Sequence, residues 1–451
     1  MSDLRRKLAQ RKALSGEVTV DAPASPGTTA TSDPRTESPA YRARVDRLKG
    51  MLSSMIARQQ ADVRTEPHGP TTLLALKTLS RRGALKYGPL PGEEVDTPGG
   101  RLHLVRHRFE PDHAHGKTKV VAALAAKAGT IAKLTLDESL REIDPNRFLY
   151  LDTETTGLSG GTGTIPFLVG LAWFEDQSLC VEQLMLRTPA QERAMLSALV
   201  EHMKRSSALV TYNGKSYDWP LLKSRFVMNR MPVPEPLPHV DLLHAARRVY
   251  KRRLGEVRLV TMERALLGFQ REHDVEGFEI PNLYWEMLRG GESSLLTPVL
   301  EHNVNDIIAL AALLGLLTDR FENLRKEDDP TDHLGLAHVA RRTGDFERAH
   351  LFAEAAAGGG GDRALTVEAL VLSARLRAKA RSFPEAVELY QRALAEAEGP
   401  LLAPIHLALS KLYEHRLGRP DLALFHAERA EDAESPELHA RRLDRLQTRV
   451  V

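Results

Sequence analysis

An α/β fold with helices flanking a sheet, followed by an all-α helical-repeat domain, is predicted for this 451-residue chain by three observations. Three apolar, β-rich runs follow one another from Phe148, linked by hairpin-length turns. Helix, strand, helix, strand and helix patterns then alternate as far as Phe321. Beyond residue 331 the text repeats itself at a fixed step.

The composition sets outer bounds. A chain of 451 residues, 42% of them hydrophobic, implies two or three domains with packed interiors. No apolar run approaches the ~18 residues of a membrane span. The start, MSDLRRKLAQRKAL, lacks the apolar stretch of a secretory signal. A single cysteine, Cys180, excludes an internal disulfide framework and fits a reducing compartment, so a cytoplasmic location is expected. The formal charge of +2 announces no nucleic-acid partner, and any such partner must be read from local patches.

Residues 1–40 read as a basic, then Pro/Ser/Thr-rich arm with too little apolar surface to offset the entropy of ordering. An N-terminal accessory segment follows over 41–145. It opens on an amphipathic helix over 41–62, with Val45, Leu48, Leu52 and Ile56 at helical spacing. RLHLVRHRF alternates as a strand does. His107, His113 and His115 lack the further ligands a metal site needs, so a structural or substrate-facing role is expected of them.

Residues 146–325 form the main α/β domain. RFLYLDTETT, PFLVGLAWFE and LCVEQLMLR read as strands, and AQERAMLSALVEHMKR as an amphipathic helix. ALVTYNG is a buried strand, WPLLKSRFVMNR a helix, and HVDLLHAARRVY a short strand entering a helix. The long helical stretch LLTPVLEHNVNDIIALAALLGLLTDRF closes the domain. In the tail, 331–440, GDFERA, RSFPEA and GRPDLA begin at 344, 381 and 418, a step of 37. Ala356, Ala393 and Ala430 keep the same step, and small residues at fixed positions let paired helices pack closely. The period resembles that of tetratricopeptide repeats, roughly 34 residues. The glycines at 358–361 read as a flexible joint between the first two copies.

Four acids stand out by placement. Asp152 and Glu154 sit two apart on an otherwise apolar strand, so both point to one face. Such charges are costly unless compensated, and a divalent cation would compensate them. Thr155, Thr156 and Gly157 turn the chain just beyond, at a sheet end. Asp218 follows ALVTY at the start of the next helix, where it either joins the pair or caps the helix; Tyr217 is expected to pack under the sheet. GKS at 214–216 is not a phosphate-binding loop, because Leu209 stands where that motif needs glycine. Asp306 lies four residues after His302, on the same helical face, with Ile307, Leu310 and Leu313 directed to the sheet. Two Mg²⁺ or Mn²⁺ ions about 3.5–4 Å apart would suit such an all-acid donor set and could clamp a phosphodiester. A neutral His302 could then take the proton of an attacking water.

LDTETTGL, NGKSYD and HNVND resemble the three motifs of the DEDD superfamily, the DnaQ-like 3′–5′ exonucleases. The text from HVDLLHAARRVY to LYWEML resembles the YprB-type ribonuclease-H-like bacterial subfamily, and the likeness covers about residues 85–320. The resemblance implies a ribonuclease-H-like mixed sheet. It implies that Asp152, Glu154, Asp218 and Asp306 bind two metal ions while His302 activates water. Superfamily members with a histidine base place it five residues before the last acid; here Glu301 stands there and His302 follows at four.

Arg247, Arg248, Lys251, Arg252, Arg253 and Arg258 form a basic run suited to phosphate contacts, although a solvated face is the usual fate of such a run. Lys223, Arg225 and Arg230 add charge on the helix after Asp218. Tyr212, Tyr217 and Trp219 are candidates for base stacking, while Thr156 and Asn213 are candidates to orient a terminal nucleotide. Hydrolysis of DNA or RNA from a 3′ end is the expected activity, with nucleic acid as partner, a protein partner possible through the repeats, and no membrane. The alternatives are a repeat scaffold with a vestigial nuclease site, and an endonuclease selective for structured nucleic acid.

Overall fold

The computed structural model describes residues 90–157, 163–272 and 274–450. The arm over 1–40, the helix expected over 41–62 and part of the turn after Gly157 lie outside the described residues.

A hairpin of β1 (Glu93–Thr97) and β2 (Gly100–Phe109) comes first, then a small ribbon of β3 (Ala114–His115) and β4 (Thr118–Lys119). Helix α1 (Ala128–Thr135) leads to β5 (Phe148–Thr155), β6 (Pro166–Glu175) and β7 (Ser178–Met185), which pair antiparallel in succession. Helix α2 (Glu192–Arg205), β8 (Ala208–Thr211), α3 (Asp218–Met228), β9 (His239–Asp241) and α4 (Leu242–Leu254) follow. β8 joins β5 in parallel, and β9 joins β8 in parallel. The sheet therefore runs β1-β2-β7-β6-β5-β8-β9. It is the expected mixed sheet, and the accessory hairpin extends its β7 edge through the β2 pairing.

Both faces of the sheet are covered. Phe148 and Tyr150 of β5 enter one core, whereas Leu149 and Leu151 enter the other, as strand alternation requires. After α5 (Ile280–Leu288), the 26-residue α6 (Thr297–Glu322) lies along the first face, with Ile307, Leu310 and Leu313 fully buried. Its close approach to the segment 120–125 depends on Gly315, since a Cβ there would come within 2.8 Å of the Ala122 and Ala123 backbone. Helices α2, α3 and α5 supply Leu196, Phe226 and Tyr284 to the second face.

The tail forms helical hairpins: α7 (Pro330–Arg342) with α8 (Phe346–Gly358), α9 (Arg363–Lys379) with α10 (Phe383–Glu396), and α11 (Leu402–His415) with α12 (Pro420–Ala427). A last helix, α13 (Pro436–Val450), closes the array, where buried Glu414 pairs with Arg442, Arg445 and Arg449. The repeat is visible at side-chain level. Ala349, Ala386 and Ala423 are fully buried, and Gly344, Arg381 and Gly418 occupy the same positive-φ turn. Gly359 packs beside Pro330, so the end of α8 closes tightly on the start of α7 within the first hairpin.

Candidate active site

The strand β5 carries Asp152 and Glu154 on the face toward α6, and β5 shifts register just after Glu154. Helix α6 presents His302, Asn303 and Asp306 to the same place. His302 Nε2 lies 3.5 Å from Asp306 Oδ2 and 3.9 Å from Glu154 Oε1. Glu154, His302 and Asp306 offer ligand atoms all within 4.8 Å of one another, the one such group among the described residues. Asp218 opens α3 and accepts a hydrogen bond from the Thr153 hydroxyl on the opposite side of β5. Its carboxylate is close enough to raise the pKa of both Asp152 and Glu154. The five residues expected to act together are thus brought together.

Burial pushes the Asp152 carboxyl well above the ordinary range, and the charges of Asp306 and Asp218 push it further. Glu154 is raised likewise by burial and then by Asp152 and Asp306. Burial lifts Asp218 to about 6, against the Thr153 hydrogen bond. Burial opposes protonation of His302, but hydrogen bonding to Asp274 and the charge of Asp306 outweigh it and hold its pKa up. Crowded, desolvated acids of this kind are expected where a cation belongs.

Several residues of the site carry no sequence motif. Asp274 Oδ1 meets His302 Nδ1 at 2.7 Å, so a proton on Nδ1 turns Nε2 toward the acids. Arg271, almost wholly buried, pairs with Asp306, with Asp274 at 3.2 Å and with Glu263 at 2.8 Å. Glu263 is paired in turn with buried His115 at 2.8 Å, whose ring packs at a tilt against Phe269. His115 thus takes a structural role, one of the two expected for the trio. Asp241, fully buried, caps α4 at Leu243 and accepts from the backbone N–H groups of Asn213 and Lys215, at 2.8 and 3.2 Å. It fixes the loop that delivers Asp218. Arg271 and Asp274 lie in an aperiodic loop, so no period singles them out, although they fall within the stretch that carries the family resemblance.

The expected substrate-facing residues divide. Tyr217 does not pack under the sheet: it is 62% exposed, because the turn before α3 points it outward. Trp219 is core. Asn213 takes a left-handed conformation, and the Thr156 hydroxyl accepts from Ile165 N at 2.9 Å, closing the loop after β5. The basic run is largely engaged elsewhere. Arg253 pairs with Asp332, Arg252 with Glu368, and Arg248 donates to the Leu134 carbonyl. Arg247 and Lys251 remain on the exposed side of α4. Arg225 does not present charge on α3; it is buried in a two-bond pair with Glu192 at 2.6 and 2.7 Å. Glu301 is exposed, one position off the face that carries His302 and Asp306.

The donor set fits a hard divalent cation. Thr153, Asn303 and Arg271 each engage only one oxygen of Asp218, Asp152 and Asp306 respectively, so each of these three carboxylates turns its other oxygen away from that partner.

Comparison with known proteins agrees with this architecture. Residues 149–318 match the family model RNase_H_2, described as RNase_H superfamily. A stretch of 197 residues is 36% identical to the "Uncharacterized protein YprB" of Bacillus subtilis (strain 168). That match covers 43% of this chain and 47% of the relative, so it spans less than half of either. No helix among the described residues is long and apolar enough to cross a membrane. The mixed sheet with its flanking helices, together with the match over 149–318, makes this part of the chain ribonuclease-H-like.

Proposed function

We propose that the chain is a metal-dependent nuclease that hydrolyses phosphodiester bonds of DNA or RNA, acting from a 3′ end. The observation that carries the reading is the convergence of Asp152, Glu154, Asp218 and Asp306 at one end of β5, desolvated enough to raise the pKa of three of them. A charge cluster of that kind is costly in a folded protein unless a cation offsets it.

Asp152, Glu154, Asp218 and Asp306 would hold Mg²⁺ or Mn²⁺, two ions by the family resemblance. Bound there, such ions polarise the phosphoryl oxygen and stabilise the attacking and leaving oxygens. His302 accepts the water proton at Nε2 while Asp274 holds Nδ1. Exposed Tyr217 offers a stacking face, and exposed Arg247 and Lys251 offer phosphate contacts. The helical hairpins would provide a surface for a protein partner.

End-labelled single and double strands of DNA and RNA, incubated with Mg²⁺, Mn²⁺ or a chelator, test the proposal. Stepwise shortening from the 3′ end is expected with metal, and its loss in Asp152→Ala. Internal cuts would replace the exonuclease reading by the endonuclease one. No cleavage under any condition would leave the scaffold.

A further inference from the structure

Asn303 follows His302 on α6 and is fully buried, with its amide held at both ends. Its Nδ2 donates to Asp152 Oδ2 at 2.9 Å, and its Oδ1 accepts from Gln183 Nε2 at 3.0 Å. The same Gln183 Nε2 donates to the Leu300 carbonyl at 2.9 Å. A backbone carbonyl can only accept, so Gln183 must present its NH₂ at that point. Asn303 must then turn its oxygen to Gln183 and its NH₂ to Asp152. The direction of the whole chain is set by main-chain chemistry. Gln183 Oε1 is turned away from Leu300, on the side where His107 lies within reach of the same amide. Flipping the amide would set two oxygens against each other at Leu300.

The sheet supplies the slot for this amide. Asp152, Gly170 and Gln183 pair in register across β5, β6 and β7, so they share one face. Between the two polar residues the side chain is missing, and Asn303 lies over the gap. A Cβ on Gly170 would stand 2.2 Å from Asn303 Oδ1. Three strands and one helix thus converge to hold a single donor on a single carboxylate oxygen.

We infer that Asn303 is a positioning residue for Asp152: it ties Oδ2 and leaves Oδ1 as the atom that meets a cation. Gln183 and Gly170 act through it, Gln183 by orienting the amide and Gly170 by making room. The inference rests on the metal-site reading of the four acids and concerns a residue that reading does not use. Partners that orient a metal ligand typically change metal affinity by about 10- to 100-fold when removed.

The test is Mn²⁺ affinity of the full chain, read by electron paramagnetic resonance and without any substrate, for wild type, Asn303→Leu and Gln183→Leu. Each protein is also melted in chelator. Asn303→Leu is expected to bind Mn²⁺ about 10- to 100-fold more weakly, and Gln183→Leu to shift the same way by less. A purely structural role would lower the melting temperature and leave the affinity of the folded protein unchanged. Wild-type affinity in folded Asn303→Leu overturns the inference. Should that variant not fold, wild-type affinity in Gln183→Leu does so. Absence of Mn²⁺ binding in the wild type would instead defeat the metal reading itself.

Discussion

Raised acid pKa values at single residues have a thermodynamic consequence with a definite sign. Asp218 titrates at about 6 rather than 3.8, so between those values the folded state binds more protons than the unfolded one. Stability then falls as pH rises through that window. Asp152 and Glu154, also raised, act in the same direction. His302 is held above its ordinary 6.5; its contribution is complete below that value and is lost as pH rises through the raised one. The metal-free protein is therefore expected to melt at lower temperature at pH 8 than at pH 5. A cation that neutralises the acids should raise the melting temperature more at pH 8 than at pH 5, as calorimetry with and without Mn²⁺ would show. Equal shifts at both values would contradict the account. The acids themselves were legible in the sequence because charge on an apolar strand is anomalous. Asp274 and Arg271 were not, because they come from an aperiodic segment and meet His302 and Asp306 only through the fold.

Among elements, the strands and helices of the α/β part were readable from period alone: β6 begins and ends where its apolar run does. What period could not give was which cationic side chains a helix spends on its neighbours. Arg252 and Arg253, read as phosphate contacts, differ in this respect. Arg253→Ala strands the Asp332 carboxylate, only 3% exposed, and is expected to cost about 3 kcal/mol in urea unfolding. Arg252→Ala breaks an exposed pair with Glu368 and should cost under about 1 kcal/mol. Similar losses for the two would contradict their assignment. In the repeats, Arg381 takes the left-handed turn that Gly344 and Gly418 take in the other copies. That conformation costs a non-glycine residue roughly 1–2 kcal/mol. Glycine returns about 0.5–1 kcal/mol of the difference through its freer unfolded chain. Arg381→Gly is expected to stabilise the protein by up to about 1 kcal/mol, and a clear loss in urea unfolding would refute the turn argument.

For the molecule as a whole, the described residues belong to one compact unit, and one apolar core runs from Phe148 and Tyr150 of the sheet to Phe352 and Leu365 of the hairpins. The sequence separates an α/β part from a repeat tail, since their periodicities differ, but it carries no mark of how α7 meets α4; Gly335 against the Val249 backbone makes that contact. The hairpins therefore pack on α4, whose capping residue Asp241 also holds the loop that leads to Asp218. In the proposed function those acids hold a divalent cation. Anomalous diffraction from crystals of the whole chain soaked in Mn²⁺ measures this most directly. A manganese peak is expected among Asp152, Glu154 and Asp306, with Asn303 still on Asp152. Ordered carboxylates in a fully soaked crystal with no peak there would contradict it.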